Sequence, residues 1–494
     1  MVSPIYFIAL PLLTAFLLPL FGKIHKSLIR IIPGLLFAYL AVNAVVLLMQ
    51  TSVDKPIITE IAGWAPPLGI NLMFTPFSGF IATVISLLAF LVWAYSYLFK
   101  KVEFDNAVKY FVLLMLIVAG SIGVVITGDI FNQFVFLEIT SISAYSLTAF
   151  YRGRDGAEAA FKYLIVGSFS SVFILLGIAL IYGHLGTLNM ADIAANIDKI
   201  PPKLKVLIFI LLFVGFGIEA EMFPLNGWAP DAYSQAPGPI GSVFAAMTSK
   251  AGLYALIRMI YTLFDISSAY KTLLIMGVIT LVFAETIALR QEKIKRMLAY
   301  SSIGQIGLIM IAFGLNTQLG IFAGLFVLFN HAVIKSLLFL SASFLVYNSK
   351  VKYISDLEGM GKQMPLTALL FSLGAFAIVG LPPFSGFWGK LYLLMATANK
   401  GMVVLLALIL SVSIVEIVYY FRVIHRLYFR EYTGKYQVQK PRWNAMAAML
   451  ILGLTIIVVG LYPDLITSYI QQATDALIDK QNYIHSVLPN LGLN

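Results

Sequence analysis

Fourteen apolar runs recur along the chain, each long enough to cross the roughly 30 Å hydrocarbon core of a bilayer, and they leave little else to build a fold from. They occupy residues 4–21, 28–50, 75–99, 108–127, 130–151, 158–183, 204–223, 239–263, 271–289, 295–315, 319–347, 366–397, 402–429 and 443–463. The expectation is an all-α membrane protein of about 14 transmembrane helices. Connecting segments reach only about 25 residues, too short for a soluble domain, so residues 1–494 read as one membrane domain. Composition agrees: 60% of residues are hydrophobic and 11% are charged, against about a quarter charged in a typical soluble domain. The N-terminus enters its first run with no basic stretch or cleavage motif, so no cleavable leader is expected.

Charge sets the orientation. Most Lys and Arg fall in every second loop: Lys23, Lys26 and Arg30, then Lys100, Lys101 and Lys109, then Arg152 and Arg154. The pattern continues through 290–296, Lys350, Lys352 and Lys362, and ends with Arg426, Arg430, Lys435, Lys440 and Arg442. By the positive-inside rule both termini face outward, on a cell membrane. The net charge of +10 is thus topology, not a nucleic-acid face. With no cysteine, thiolate zinc sites and iron–sulfur clusters are excluded. The five histidines (His25, His184, His331, His425, His485) are scattered. No cofactor, metal site or catalytic chemistry is expected here; any electron transfer belongs to another subunit.

Against this background the ionisable residues inside the runs stand out: Glu138, Lys162, Glu219, Glu221, Lys250, Arg258, Glu285, Lys335, Lys390, Glu416 and Arg422. A charge at bilayer depth costs several kcal/mol unless it is paired or hydrated, and such residues mark ion pathways. Arg258 and Arg422 lie about a turn from their interfaces and are expected to snorkel. The others sit deeper. Buried Lys and Glu change proton affinity with burial and with an opposite neighbour, so a Lys–Glu pair makes a two-state proton carrier. His331 and Lys335 are four residues apart and share a helix face. Thr127, Asp129 and Ser143 could offer oxygens to sodium but form no compact cluster, which favours protons.

Two runs contain mid-membrane prolines, in Gly217-Ile-Glu-Ala-Glu-Met-Phe-Pro-Leu-Asn-Gly-Trp228 and in Gly380-Leu-Pro-Pro-Phe-Ser-Gly-Phe-Trp-Gly-Lys390. Proline breaks the helical ladder, which a bilayer tolerates only where protein or cavity water satisfies the freed groups. Pro224 and Pro383 lie about 160 residues apart. The spacing predicts two inverted five-helix repeats, residues 108–263 (spans 4–8) and 271–429 (spans 9–13), with breaks in spans 7 and 12. Residues 1–107 supply spans 1–3, and residues 443–494 supply span 14 and a tail.

The stretches Gly128-Asp-Ile-Phe-Asn-Gln-Phe-Val-Phe-Leu-Glu138, Phe223-Pro-Leu-Asn-Gly-Trp-Ala-Pro-Asp-Ala232, Lys295-Arg-Met-Leu-Ala-Tyr-Ser-Ser302, His331-Ala-Val-Ile-Lys335 and Gly380-Leu-Pro-Pro-Phe-Ser-Gly386 resemble the antiporter-like subunits of the Mrp/complex I superfamily. The resemblance runs from about residue 55 to 430 and is strongest to the MrpD type, including relatives in membrane-bound hydrogenases and sulfur reductases. It implies a hydrated polar axis at the membrane midplane and places Glu138 against a neighbouring antiporter-like or small Mrp-type subunit. Lys250, His331, Lys335 and Lys390 fall at the family's polar positions of spans 8, 11 and 12. Glu219 stands where most relatives carry lysine, and Asn226 where many carry histidine. A substitute cation is therefore expected: Lys250 within ion-pair reach of Glu219 or Glu138, with Lys162 behind it.

The implied function is proton translocation by an antiporter-like subunit of a multisubunit complex. That complex would be a Na+/H+ antiporter or a hydrogenase, sulfur reductase or complex I-like respiratory assembly. Other membrane subunits, lipids and a hydrophilic redox arm are the expected partners. The alternative is a stand-alone secondary transporter for a cation or small solute.

Overall fold

The computed structural model describes residues 2–97, 104–347, 352–432 and 443–489. The loop cations Lys100, Lys101, Lys350, Lys435, Lys440 and Arg442 lie outside the described residues. Helices α1 (Tyr6–Ile24) and α2 (Leu28–Gln50) lead into a hairpin of β1 (Ile57–Glu60) and β2 (Asn71–Phe74), paired antiparallel from Ile57 opposite Phe74 to Glu60 opposite Asn71. The hairpin delivers the chain to α3 (Pro76–Ser96), whose start is fixed twice over. The Thr75 hydroxyl accepts from the Ser78 amide at 3.1 Å, and the Ser78 hydroxyl accepts from the Thr75 amide at 2.8 Å, a reciprocal cap.

Next come α4 (Phe104–Ile126), α5 (Ile130–Thr148), α6 (Arg154–Leu185), the short α7 (Met190–Asn196) and α8 (Pro202–Glu219). The chain then unwinds. Glu221 adopts a left-handed φ of 61°, and helix resumes only at α9 (Ala229–Gln235). Helices α10 (Gly238–Val243) and α11 (Ser249–Arg258) are joined by a π-helical turn at Phe244–Thr248. A second π turn, Met259–Phe264, extends them into one rod from Gly238 to Phe264.

The second half follows with α12 (Ser267–Leu289), α13 (Ile294–Gly314), α14 (Gln318–Tyr347), the single turn α15 (Met360–Gln363) and α16 (Pro365–Val379). Gly380, at φ 93°, breaks the helix, and α17 (Gly386–Asn399) restarts it. Helices α18 (Val403–Phe429) and α19 (Trp443–Leu461) complete the long elements, and α20 (Asp464–Ile478) and α21 (Lys480–Val487) end the described chain.

Among the described residues, eleven helices are long and apolar enough to cross a membrane. Three expected spans fall outside that set: α5, α8, and the pair α16–α17, which replaces a continuous 366–397. Burial sorts centre from rim. The Gly238–Phe264 rod is 100% buried and α13 and α14 94% each, whereas α1 and α18 are 28% buried and α6 33%. Two of these three rods surrounded by protein carry the central ionisable residues, Lys250 on the first and His331 and Lys335 on α14, and lipid-facing helices form the rim.

Several elements go beyond the expected all-helical spans: the β hairpin, the short helices α7, α9 and α15, and finally α20 and α21. The last two rest on amphipathicity. Ile470, Ala473, Thr474 and Leu477 line the buried face of α20 at helical spacing and pack it against α3 and α14.

Candidate functional site

The first helix break abuts a neighbouring backbone, and the second is met by a lysine side chain. A Cβ on Gly252 would lie 2.4 Å from the carbonyl carbon of Glu219, so only glycine lets α11 abut the unwound end of α8. At the second break the Lys390 ammonium donates to the Val379 carbonyl at 2.9 Å, satisfying an orphan acceptor at the end of α16.

From these breaks ionisable groups run through the interior. Glu138 on α5 accepts a hydrogen bond from Ser171 of α6. Glu219 accepts from Ser141 at 3.0 Å, and Glu138 is the charged group acting on it. Two residues on, the fully buried Glu221 accepts from the Tyr233 hydroxyl at 2.7 Å. Tyr233 in turn lies beside Ser249 and Ser302.

Lys250 is fully buried and donates to the Ala245 carbonyl at 2.6 Å, across the π turn. Its ammonium also meets Nδ1 of His331, whose Nε2 contacts the Ser302 hydroxyl at 2.8 Å. One helical turn along α14, Lys335 donates to Ser301 at 2.6 Å, to the Tyr420 hydroxyl at 3.0 Å and to the Leu298 carbonyl at 3.3 Å. Tyr420 sits four residues from Glu416 on α18. Glu416 receives Gln305 at 2.9 Å and pairs with Lys390 at 2.5 Å. Beside it, Glu285 accepts from Tyr419 at 2.8 Å.

The expected substitute for the missing span-7 lysine does not form. Among the described residues no cation stands within ion-pair reach of Glu219 or Glu138, and both carboxylates are met by serine hydroxyls instead. Lys250 turns away because the π turn aims its side chain at α14; the carboxylate its charge acts on is Glu221. Lys162 is also corrected. Its side chain is 47% exposed and pairs with Glu158 at 2.7 Å and Asp231 at 3.1 Å, because it lies in the opening turns of the peripheral α6.

Neither arginine snorkels freely. Arg258 is 4% exposed, stacked with Tyr254 and Tyr483 beneath α21. Arg422 donates to the carbonyls of Leu289 and Gln291 at the end of α12.

The missed participants are hydroxyls and an amide: Ser141, Ser171, Tyr233, Ser301, Ser302, Gln305, Tyr419 and Tyr420. Only Tyr420 carried a readable signal, four residues from Glu416 on one helix face. Among the described residues no group of three or more His, Asp or Glu is arranged to hold a metal ion.

The family described as NADH:quinone oxidoreductase/Mrp antiporter, transmembrane, matches residues 127–415. The chain belongs to the NADH:quinone oxidoreductase/Mrp antiporter family.

Within that family it is 33% identical to the NADH-quinone oxidoreductase subunit N of Desulforudis audaxviator, over 95% of this chain and 97% of that one. Its fold matches a chain of the membrane-bound sulfane sulfur reductase, an archaeal respiratory membrane complex, at 42% identity and a TM-score of 0.92, covering 98% and 100% of the two chains. It also matches a chain of the Mrp complex from a Dietzia species at 26% identity and a TM-score of 0.90, covering 98% of each. As a member of the NADH:quinone oxidoreductase/Mrp antiporter family the protein is membrane-embedded and antiporter-like, with the interior just described.

Proposed function

We propose that this chain is the proton-translocating subunit of a multisubunit membrane complex, and that its path runs through Glu138, Glu219, Glu221, Lys250, His331, Lys335, Lys390 and Glu416. The observation that carries this reading is the succession of interior ionisable groups from α5 to α18, with Ser and Tyr hydroxyls bonded to Glu219, Glu221, His331 and Lys335, a Lys250–His331 contact and a Lys390–Glu416 pair. Hydroxyls both donate and accept, so they can relay a proton between groups too far apart to touch. In the centre, the Lys250 ammonium donates to Nδ1 of His331. Handing that proton over charges the imidazole while Nε2 contacts Ser302, which is the step a relay needs. Lys162 belongs to the rim with Asp231, outside this path.

The same reading sets the architecture. Fourteen spans comprise the eleven long helices, α5, α8 and the broken pair α16–α17. The two five-helix repeats are 108–263 and 271–429, flanked by residues 1–107 and 443–494. Both termini lie on the outer side of the cell membrane. The 42% identity to a chain of the sulfane sulfur reductase, against 26% to one of an Mrp complex, supports a respiratory assembly with a hydrophilic redox arm over a dedicated antiporter. Exposed Val135 and Ile142, one turn either side of Glu138 on α5, suit a neighbouring membrane subunit.

The test is proton translocation by the purified complex in liposomes, followed with a pH-sensitive dye while its own driving reaction runs. Lys250→Met is expected to abolish translocation in an assembled complex. Wild-type translocation in that variant would remove the axis from the mechanism.

A further inference from the structure

A small cleft, with a cavity volume of about 30 Å³, opens where α3 begins, the Gly238–Phe264 rod ends and α21 folds back over both. Arg258 lines it. Its guanidinium is 4% exposed, and its Nη1 donates to the Tyr254 hydroxyl at 2.6 Å. Nε and Nη2 lack a well-directed hydrogen-bond partner among the described residues, and so does the buried hydroxyl of Tyr483, which lines the same cleft beside the guanidinium. The Tyr483 ring centroid lies 4.7 Å from the guanidinium carbon and covers it.

A buried arginine left without an anion costs several kcal/mol, and its charged neighbourhood here is two tyrosines rather than a carboxylate. Asp479 also lines the cleft, but its carboxylate is turned to the Asn482 amide at 2.9 Å, where it caps α21. Lys480 stands at the rim. The N-terminal end of α3 at Thr75 and Pro76 forms another wall and presents the positive end of a 21-residue helix dipole. Three independent sources of positive potential, with three donor groups that lack a well-directed partner, converge on one cavity.

We propose that this cleft is an oxyanion site that holds a phosphate group, with Arg258 as its buried anchor, Tyr483 as a second donor and Lys480 at its mouth. The chemistry is that of a charge-assisted guanidinium–phosphate contact. It lies at the ends of membrane helices, the depth at which phospholipid headgroups sit. The phosphate can belong to such a headgroup or be free in solution, and the two sources separate experimentally. This proposal does not rest on the translocation path, because no path residue lines the cleft.

The complex is purified in mild detergent and its retained phospholipids are counted by native mass spectrometry, in wild type and in Arg258→Met. Loss of one tightly bound phospholipid in the variant assigns the site to a headgroup. A second arm titrates inorganic phosphate into exhaustively delipidated complex and reads the melting temperature. A phosphate-dependent rise in wild type that Arg258→Met abolishes assigns the site to free phosphate. If Arg258→Met fails to assemble, the double variant Tyr483→Phe/Lys480→Met is read the same way, with partial loss expected. Wild-type complex that retains no specific lipid and gains no stability from phosphate overturns the proposal and leaves the cleft filled by water alone.

Discussion

Removing the Lys390 ammonium deprives the Val379 carbonyl of its donor and leaves the Glu416 carboxylate, 2% exposed, with Gln305 as its remaining partner. Breaking one side of a buried pair costs about 3–5 kcal/mol, so Lys390→Ala is expected to lower the melting temperature as well as abolish proton translocation. The double variant Lys390→Met/Glu416→Gln removes both charges and is expected to recover most of the stability with none of the translocation. A double variant that pumps normally would show that the pair serves packing alone. Glu219 poses the opposite question, since its carboxylate has a hydroxyl for company and no counter-ion among the described residues. Glu219→Lys would set an ammonium beside Glu138 and lock a pair where the native chain has none. Slower translocation by the liposome assay is the expected outcome, and a normal rate would show that the charge reversal carries no functional weight.

Gly252 and Glu219 show how much of an element depends on one missing atom. Any side chain at Gly252 must displace the unwound end of α8, and overpacking of that kind costs about 1–3 kcal/mol. Gly252→Val is therefore expected to lower the melting temperature and to slow translocation, although neither atom it touches is ionisable. Unchanged translocation would mean that the geometry of the first break is not critical. Most helices were legible because hydrophobicity and span length coincide in a lipid-facing chain, and both breaks were legible because proline writes them into the sequence. Helices α20 and α21 were not, since neither carries an apolar run of span length and the signal of α20 is only the face made by Ile470, Ala473 and Leu477. The π turn at Phe244–Thr248 leaves no mark in the sequence, yet it decides where Lys250 points. That is why the buried lysine could be named and its partner could not: which residue it meets depends on how two rods are rotated against each other.

At the scale of the whole molecule, Glu138 lies half-buried on a flank of exposed apolar side chains, at the opposite end of the proposed path from Lys390. Glu138→Gln keeps the Ser171 contact available and removes the charge that a neighbouring subunit would sense. Its expected effect is a shifted pH dependence of translocation in the complete complex, and a wild-type profile would leave Glu138 as a packing residue. Helix α14 binds the two ends into one machine. His331 reaches across to Lys250 in the first half, and Lys335, a single turn away, reaches Ser301 and Tyr420 in the second. Successive residues on a helix are about 100° apart, and a packed core yields by discrete steps rather than by graded bending. Both contacts thus ride on one shaft, like two cams on one axle. A modest roll of that shaft would shift both contacts together.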